Sequence, residues 1–216
     1  MLPSRLTAID ETTRSNHRFL GADDRCLYFS EYFTGKGYEG GATNQLIFNL
    51  KTPPSSSPGR LHYKEKAIST AAAQLRLVMT QSSAESITWV PIPPSKALGD
   101  PEYDDRMTRV LNRAFDGYDV DVRLLLHQTK SRNADHAAGD RLTLEALYQI
   151  LDLDRELLAS KELHKRVVLF DDVLTSGKHF KCCKRRLLEA APGGTEIIGV
   201  FLARRILADP PKVPVT

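Results

Sequence analysis

The chain has 216 residues, of which 41% are apolar and 26% charged, so it can bury a sizeable core and is not a disordered chain. Thirty Lys and Arg against 27 Asp and Glu give a net charge of +3, which suits an anionic ligand but is too weak for a dedicated nucleic-acid-binding protein. The three cysteines lack CxxC spacing, which argues against a disulfide scaffold or a cysteine-based zinc site. Because no apolar run has transmembrane length and no secretory signal is recognisable, we expect a cytoplasmic protein without a membrane partner.

The first half of the chain alternates short apolar segments with polar breaks. Residues 1–24 are polar and aperiodic, and we predict a loosely held arm there. An aromatic-rich strand is predicted over 26–29 and a short helix over 44–51, and the prolines of 52–60 predict a surface loop. The next predicted elements are a helix, a strand, a helix and a strand, over 63–79, 87–92, 105–115 and 120–126.

The second half begins with a polar, aperiodic segment over 127–142, followed by an amphipathic helix over 144–151. Residues 167–170 are wholly apolar, which is typical of a strand buried on both faces of a parallel sheet. A helix and a buried strand follow, over 178–190 and 197–203. Strands that alternate with helices predict an α/β fold in which helices cover both faces of a parallel sheet. The predicted organisation is an N-terminal extension, one α/β domain and a flexible tail, over 1–41, 42–207 and 208–216.

The most informative segment covers residues 167–179 and reads VVLFDDVLTSGKH. Two acids follow the buried strand, and a small hydroxyl-rich turn then leads into a helix, whose N-terminus attracts phosphate through its free N–H groups and dipole. Two nearby carboxylates would repel a bare phosphate, but they suit ribose hydroxyls or bound Mg²⁺, so the segment predicts a sugar-phosphate ligand. Its candidate site residues are Asp171, Asp172, Val173, Leu174, Thr175, Ser176, Gly177, Lys178 and His179.

Other nucleotide and hydrolase motifs do not fit the sequence. In the P-loop frame GxxxxGK[ST], Asp172 takes the place of the first glycine and His179 that of the hydroxyl residue. There is no GxGxxG at a strand–helix junction, no HExxH and no GxSxG, which argues against a dinucleotide-binding protein, a zinc hydrolase and a serine hydrolase.

The segment 167–179 resembles the phosphoribosyl-pyrophosphate (PRPP) motif of type I phosphoribosyltransferases. That motif has four apolar residues, two acids, two apolar residues, two small hydroxyl residues, Gly, any residue and a hydroxyl residue; here His179 takes the last position. Over residues 42–205 the pattern is most similar to the ComF-like branch, with a helix ending in Lys (NQLIFNLK), a VPIP strand and a polar segment before the motif. That branch often carries an N-terminal four-cysteine zinc module, and because Cys26 is the only cysteine in the N-terminal region given, we expect no such module here.

The resemblance implies a Rossmann-like fold with a flexible hood, placed here at 127–142. It also implies transfer of a phosphoribosyl group from PRPP, with Mg²⁺, to an acceptor that the sequence does not identify, releasing pyrophosphate. Asp171 and Asp172 would hold the ribose hydroxyls, directly or through Mg²⁺-bound water. The remaining candidates are Ser95 and Lys96 for pyrophosphate, and Arg106, Lys130 and Arg132 around the hood. A solvated lysine is an equally good interpretation of Lys96, and an exposed charge is the simpler one for the last three.

A basic cluster in the helix after the motif raises a second hypothesis. A solvated helix face is the simpler interpretation, but the cluster also fits a non-catalytic module that senses PRPP or a nucleotide, or that binds nucleic acid. The expected partners are therefore PRPP or a nucleoside 5′-phosphate, a second copy of the chain in a homodimer and, less favoured, nucleic acid. The cluster comprises Lys178, Lys181, Lys184, Arg185 and Arg186.

Overall fold

The computed structural model describes residues 5–132 and 142–207. The strands are β1 (Thr7–Ala8), β2 (Cys26–Phe33), β3 (Ile87–Pro91), β4 (Asp121–Val122), β5 (Leu126–Gln128), β6 (Leu151–Leu153), β7 (Arg166–Leu174) and β8 (Glu196–Ile206). Six of them form one sheet in the order β1-β2-β8-β7-β3-β4, in which every pair is parallel except β1 with β2. The strands β5 and β6 form a separate antiparallel pair. The predicted α/β class is confirmed, but the sheet is mostly and not wholly parallel, because β1 runs antiparallel to β2.

Helices pack on both faces of this sheet. They are α1 (Glu11–Arg14), α2 (Ala42–Leu50), α3 (Pro58–Val78), α4 (Gln81–Glu85), α5 (Arg106–Ala114), α6 (Leu144–Gln149), α7 (Arg155–Ala159) and α8 (Lys178–Leu188). Strand side chains alternate between two cores: Val168 and Phe170 pack with α2, α3 and α5, whereas Val167 and Leu169 pack with α6 and α8. This alternation is why β7 reads as a continuous apolar run. No helix within the described ranges is long and apolar enough to cross a bilayer.

Several predicted boundaries are wrong, each for a local reason. The loop predicted over 52–60 ends earlier, because Pro58 begins α3, where a helix needs no N–H donor. The strand predicted over 120–126 is split, with β4 in the main sheet and β5 paired to β6. The helix predicted over 144–151 ends at Gln149, and Leu151, Asp152 and Leu153 then alternate buried, exposed and buried as a strand does.

The prediction of a loosely held arm is wrong for its described part, residues 5–24. Strand β1 pairs with β2, and His17, Leu20 and Asp24 are all buried. Strand β2 itself pairs with β8, so the main sheet includes residues that the sequence assigned to the N-terminal extension. The tail at 208–216 and residues 133–141 of the predicted hood lie outside the described residues.

Candidate functional site

A cleft of about 1110 Å³ opens where β2, β3, β7 and β8 end. These strands are parallel, so the residues that end or follow each of them meet at one edge of the sheet. Strand β7 runs beyond the predicted 167–170 to Leu174. Both acids therefore lie within the strand, near its carboxyl end, and not after the strand. Thirteen sequence-predicted site residues line the cleft: Ser95, Lys96, Arg106, Arg132, Asp171, Asp172, Val173, Leu174, Thr175, Ser176, Gly177, Lys178 and His179. Lys130 is exposed and is not among the lining residues.

The two acids have different surroundings. Asp172 is buried; its Oδ2 accepts from Arg106 Nε at 3.1 Å and Nη2 at 2.6 Å, and its Oδ1 lies 3.3 Å from Lys51 Nζ. Asp171 is partly exposed, and its Oδ1 accepts the Asp172 backbone N–H at 2.8 Å. A cation therefore faces each oxygen of Asp172, whereas Asp171 retains most of its capacity to accept hydrogen bonds.

The same contacts separate the pKa values of the two carboxyls. Burial and then the negative charge of Asp172 raise the pKa of Asp171 to about 7. Burial also disfavours ionised Asp172, but Lys51 and Arg106 outweigh it and hold the pKa of Asp172 well below its usual range. The negative charge of the pair is therefore favoured on Asp172, beside the two cations, over Asp171.

Arg106 is held in place by a chain of buried charges. Its Nη1 lies 2.9 Å from Asp104 Oδ2, and the other oxygen of Asp104 lies 2.7 Å from the buried Lys64 Nζ. Lys64 also donates to the Thr52 carbonyl at 2.7 Å. The sequence placed Arg106 among the hood candidates, but the structure places it at the first residue of α5, tied to β7 through Asp172. It is a fixed cation at one side of the cleft.

The turn formed by Thr175, Ser176 and Gly177 (the TSG turn) joins β7 to α8. Gly177 has φ +80°, in the left-handed region, and is the N-cap residue of α8. The first N–H groups of an α-helix have no partner within the helix, so the N-terminus of α8 presents donors next to the hydroxyls of the turn. Such an arrangement is suited to bind an anion.

His179, which departs from the motif, is a neutral group. Burial and then the charge of Arg132 lower the pKa of its imidazole to about 3. Its Nε2 is buried and has no hydrogen-bond partner within the described part of the chain. His179 therefore brings no positive charge to the cleft at physiological pH.

The loop after β3 and the segment after β5 are joined by hydrogen bonds. Arg132 donates its backbone N–H to the Ser95 carbonyl at 2.9 Å and its Nε to Gln128 Oε1 at 3.2 Å. Gln128 Nε2 in turn donates to the Pro94 carbonyl at 2.8 Å. The predicted pyrophosphate contact Ser95 and the predicted hood residue Arg132 thus lie side by side. Lys96, the other pyrophosphate candidate, has its Nζ 4.0 Å from Asp100 Oδ2.

Sequence reasoning missed Lys51 and Asp104 as members of the site. The lysine that ends the predicted helix NQLIFNLK belongs to the family pattern, but no local signal directs it to Asp172.

No group of three or more His, Cys, Asp or Glu side chains in residues 5–132 and 142–207 could hold a metal ion. The free acceptor sites of Asp171 fit Mg²⁺ that arrives with a phosphate ligand, since Mg²⁺ commonly takes one or two carboxylates and completes its shell with phosphate and water.

The basic cluster of α8 is largely paired with acids. Lys181 and Lys184 lie 2.5 Å and 2.7 Å from the two oxygens of Asp24, and Lys178 is buried. Arg185 lies 3.2 Å from a Glu145 oxygen, and Arg186 lies 3.1 Å from one of Glu189. Cations neutralised by neighbouring carboxylates are poor contacts for nucleic-acid phosphates.

A scan against protein-family models matches no family, and a search of curated proteins finds no matching relative. The geometry of the cleft and the motif in β7 and the TSG turn are therefore the features that bear on function.

Proposed function

We propose that the chain is a type I phosphoribosyltransferase-like protein of the ComF-like kind. In this proposal the cleft binds PRPP or a nucleoside 5′-phosphate, and the protein transfers the phosphoribosyl group to an acceptor with release of pyrophosphate. The observation that carries the proposal is the shared cleft: the paired acids, the TSG turn, and cations from four other segments, Lys51, Lys96, Arg106 and Arg132, all line it. The acids and the turn lie at the carboxyl end of the parallel strand β7, where α/β sheets bind ligands.

The hydrogen-bond capacity of the acids divides their roles. A carboxylate offers about four lone-pair sites. Arg106 and Lys51 use about three of those on Asp172, whereas the Asp172 backbone N–H uses one on Asp171. We therefore assign the ribose hydroxyls mainly to Asp171, with Asp172 positioning Arg106 and Lys51. This refines the expectation that both acids hold the diol.

The cations supply the catalytic electrostatics in this proposal. Negative charge develops on pyrophosphate as the C1–oxygen bond breaks, and a fixed cation stabilises that charge without reorganising. Asp172 and Asp104 hold the Arg106 guanidinium on two sides, but the same carboxylates offset its charge, so Arg106 acts mainly as a fixed hydrogen-bond donor. Lys96 is the second candidate, at the end of β3. Mg²⁺, when bound with PRPP, would add further charge stabilisation.

The test combines binding with turnover. Titration calorimetry with PRPP and Mg²⁺ should show saturable binding, and a panel of nucleobases should reveal at least one acceptor that releases pyrophosphate. Asp171→Asn should weaken PRPP binding and abolish release, whereas Asp116→Asn, which removes an exposed carboxylate away from the cleft, should change neither. Absence of binding to PRPP, ribose 5-phosphate and nucleoside 5′-phosphates at millimolar concentration would contradict the proposal.

The alternative is a non-catalytic module that senses PRPP or a nucleotide in the same cleft. It is favoured by one observation: Asp172 is already neutralised by Arg106 and Lys51, so a ligand could bind by displacing these cations from α5 and the end of α2. Tight PRPP binding without pyrophosphate release across the panel would select this alternative. Binding to nucleic acid is disfavoured by the acids that pair with the basic cluster of α8.

A further inference from the structure

Residues 16–24 (the N-terminal segment) pack directly against the TSG turn. The ring Nδ1 of His17 donates to the Thr175 carbonyl, and the Phe19 backbone N–H donates to the Ser176 carbonyl at 3.0 Å. Leu20 covers Gly177 so closely that a Cβ there would lie 2.7 Å from Leu20 Cδ2. With two of its carbonyl groups held by this segment, the turn has a defined peptide orientation.

The same segment is fixed to the helix that follows the turn. The Asp24 side chain has no exposed surface and lies 2.5 Å from Lys181 Nζ and 2.7 Å from Lys184 Nζ of α8. The Gly21 N–H also donates to Asp24 Oδ2 at 2.8 Å. The segment is thus anchored at two places and cannot leave the turn without breaking a buried ion pair.

Arg18 lies between the two residues that bond the turn. It is exposed, it lines the cleft, and its guanidinium carbon lies 4.9 Å from the centre of the Phe19 ring. Arg18 is thus the chain neighbour of both residues that bond the turn, and it lies on the wall of the cleft that the turn also lines. No acid within the described residues forms an ion pair with it, so its charge remains available to a ligand in the cleft.

We infer that Arg18 binds the 5′-phosphate of the ligand at the TSG turn, and that it supplies the donor missing where His179 replaces a hydroxyl residue. This inference rests on the proposed function. The N-terminal segment lies outside residues 42–205, to which the family resemblance applies, so that resemblance assigns Arg18 no role. A guanidinium is suited to the task because its planar fork can hold two phosphate oxygens at once.

The test uses titration calorimetry on the full chain. It compares ribose 5-phosphate, which carries the 5′-phosphate, with inorganic pyrophosphate, which does not. Arg18→Gln should weaken ribose 5-phosphate binding by about 10-fold to 100-fold, the loss of one charge-assisted contact. It should leave inorganic pyrophosphate binding within about 2-fold, a difference of less than about 0.5 kcal/mol. Arg18→Lys, which keeps the charge but not the fork, should show an intermediate loss. Circular dichroism verifies the folding of each variant.

The matched control is Arg25→Gln, which removes an exposed arginine just beyond Asp24, paired with Glu196 and not lining the cleft. It should leave ribose 5-phosphate binding unchanged. If the wild-type protein binds ribose 5-phosphate and Arg18→Gln binds it equally well, the inference is overturned while the proposed function stands. If the wild-type protein binds none of ribose 5-phosphate, PRPP and nucleoside 5′-phosphates, the proposed function fails, and the role of Arg18 fails with it.

Discussion

Replacing Gly177 by alanine would test how the TSG turn is held. A left-handed φ costs a residue with a Cβ about 1–2 kcal/mol, of which about 0.4–1 kcal/mol is offset by the reduced freedom of the unfolded chain. The new Cβ would also lie 2.7 Å from Cδ2 and 2.8 Å from Cγ of Leu20. Overpacking of this kind adds about 1–3 kcal/mol, so the expected loss of stability is about 1–5 kcal/mol.

Gly35→Ala is the matched control, because Gly35 has φ +81° and no atom within 4 Å of the added Cβ. It carries the backbone strain without the contact, and it should lose about 1 kcal/mol. Urea unfolding measures both variants. In a Leu20→Ala background the Gly177→Ala substitution should become milder, with a coupling of about 1–3 kcal/mol in the double-mutant cycle. Equal losses at the two glycines and a coupling near zero would refute the packing of the N-terminal segment on the turn.

Three further outcomes are expected from buried charges and thiols. Burial disfavours the ionised form of Asp24, but two lysines of α8 outweigh burial and keep the pKa of Asp24 below its usual range. The Asp24 carboxylate therefore stabilises the fold above about pH 4, and this stabilisation is lost as the pH falls. In Asp24→Asn, the free energy of unfolding should fall less steeply at acid pH than it does in the wild-type protein. Lys64→Met should lower the free energy of unfolding, measured by thermal unfolding, by about 3 kcal/mol. This is the low end of the range for a broken buried ion pair, because Asp104 remains paired with Arg106. Burial raises the pKa of Cys183 well above its usual value, and all three cysteines are buried, so a thiol reagent should react with none until the protein is unfolded. Rapid labelling of a folded sample would contradict that last expectation.

Much of the fold could be predicted because its signals are local. The apolar run of β7, the spacing of α3 and the aromatic start of β2 each reflect the pattern of one element and locate it, although β7 and β2 end four residues later than predicted and α3 begins five residues earlier. The TSG turn was also predictable, because a left-handed N-cap residue favours glycine at that one position. The motif therefore located the acids and the turn before any tertiary information.

The rest of the site was decided by contacts between residues far apart in the chain. His17 meets Thr175 across 158 residues, and Arg106 meets Asp172 across 66. The polar composition of residues 1–24 suggested a loose arm, because composition does not show that a single histidine, leucine and aspartate find partners on the turn and α8. Likewise, the sequence by itself determined that two acids precede a small hydroxyl-rich turn, but only the tertiary structure decided which of the two acids pairs with Lys51 and Arg106. The physical reason is that the sign and strength of an electrostatic contact depend on distance and burial, and both are set by packing between elements.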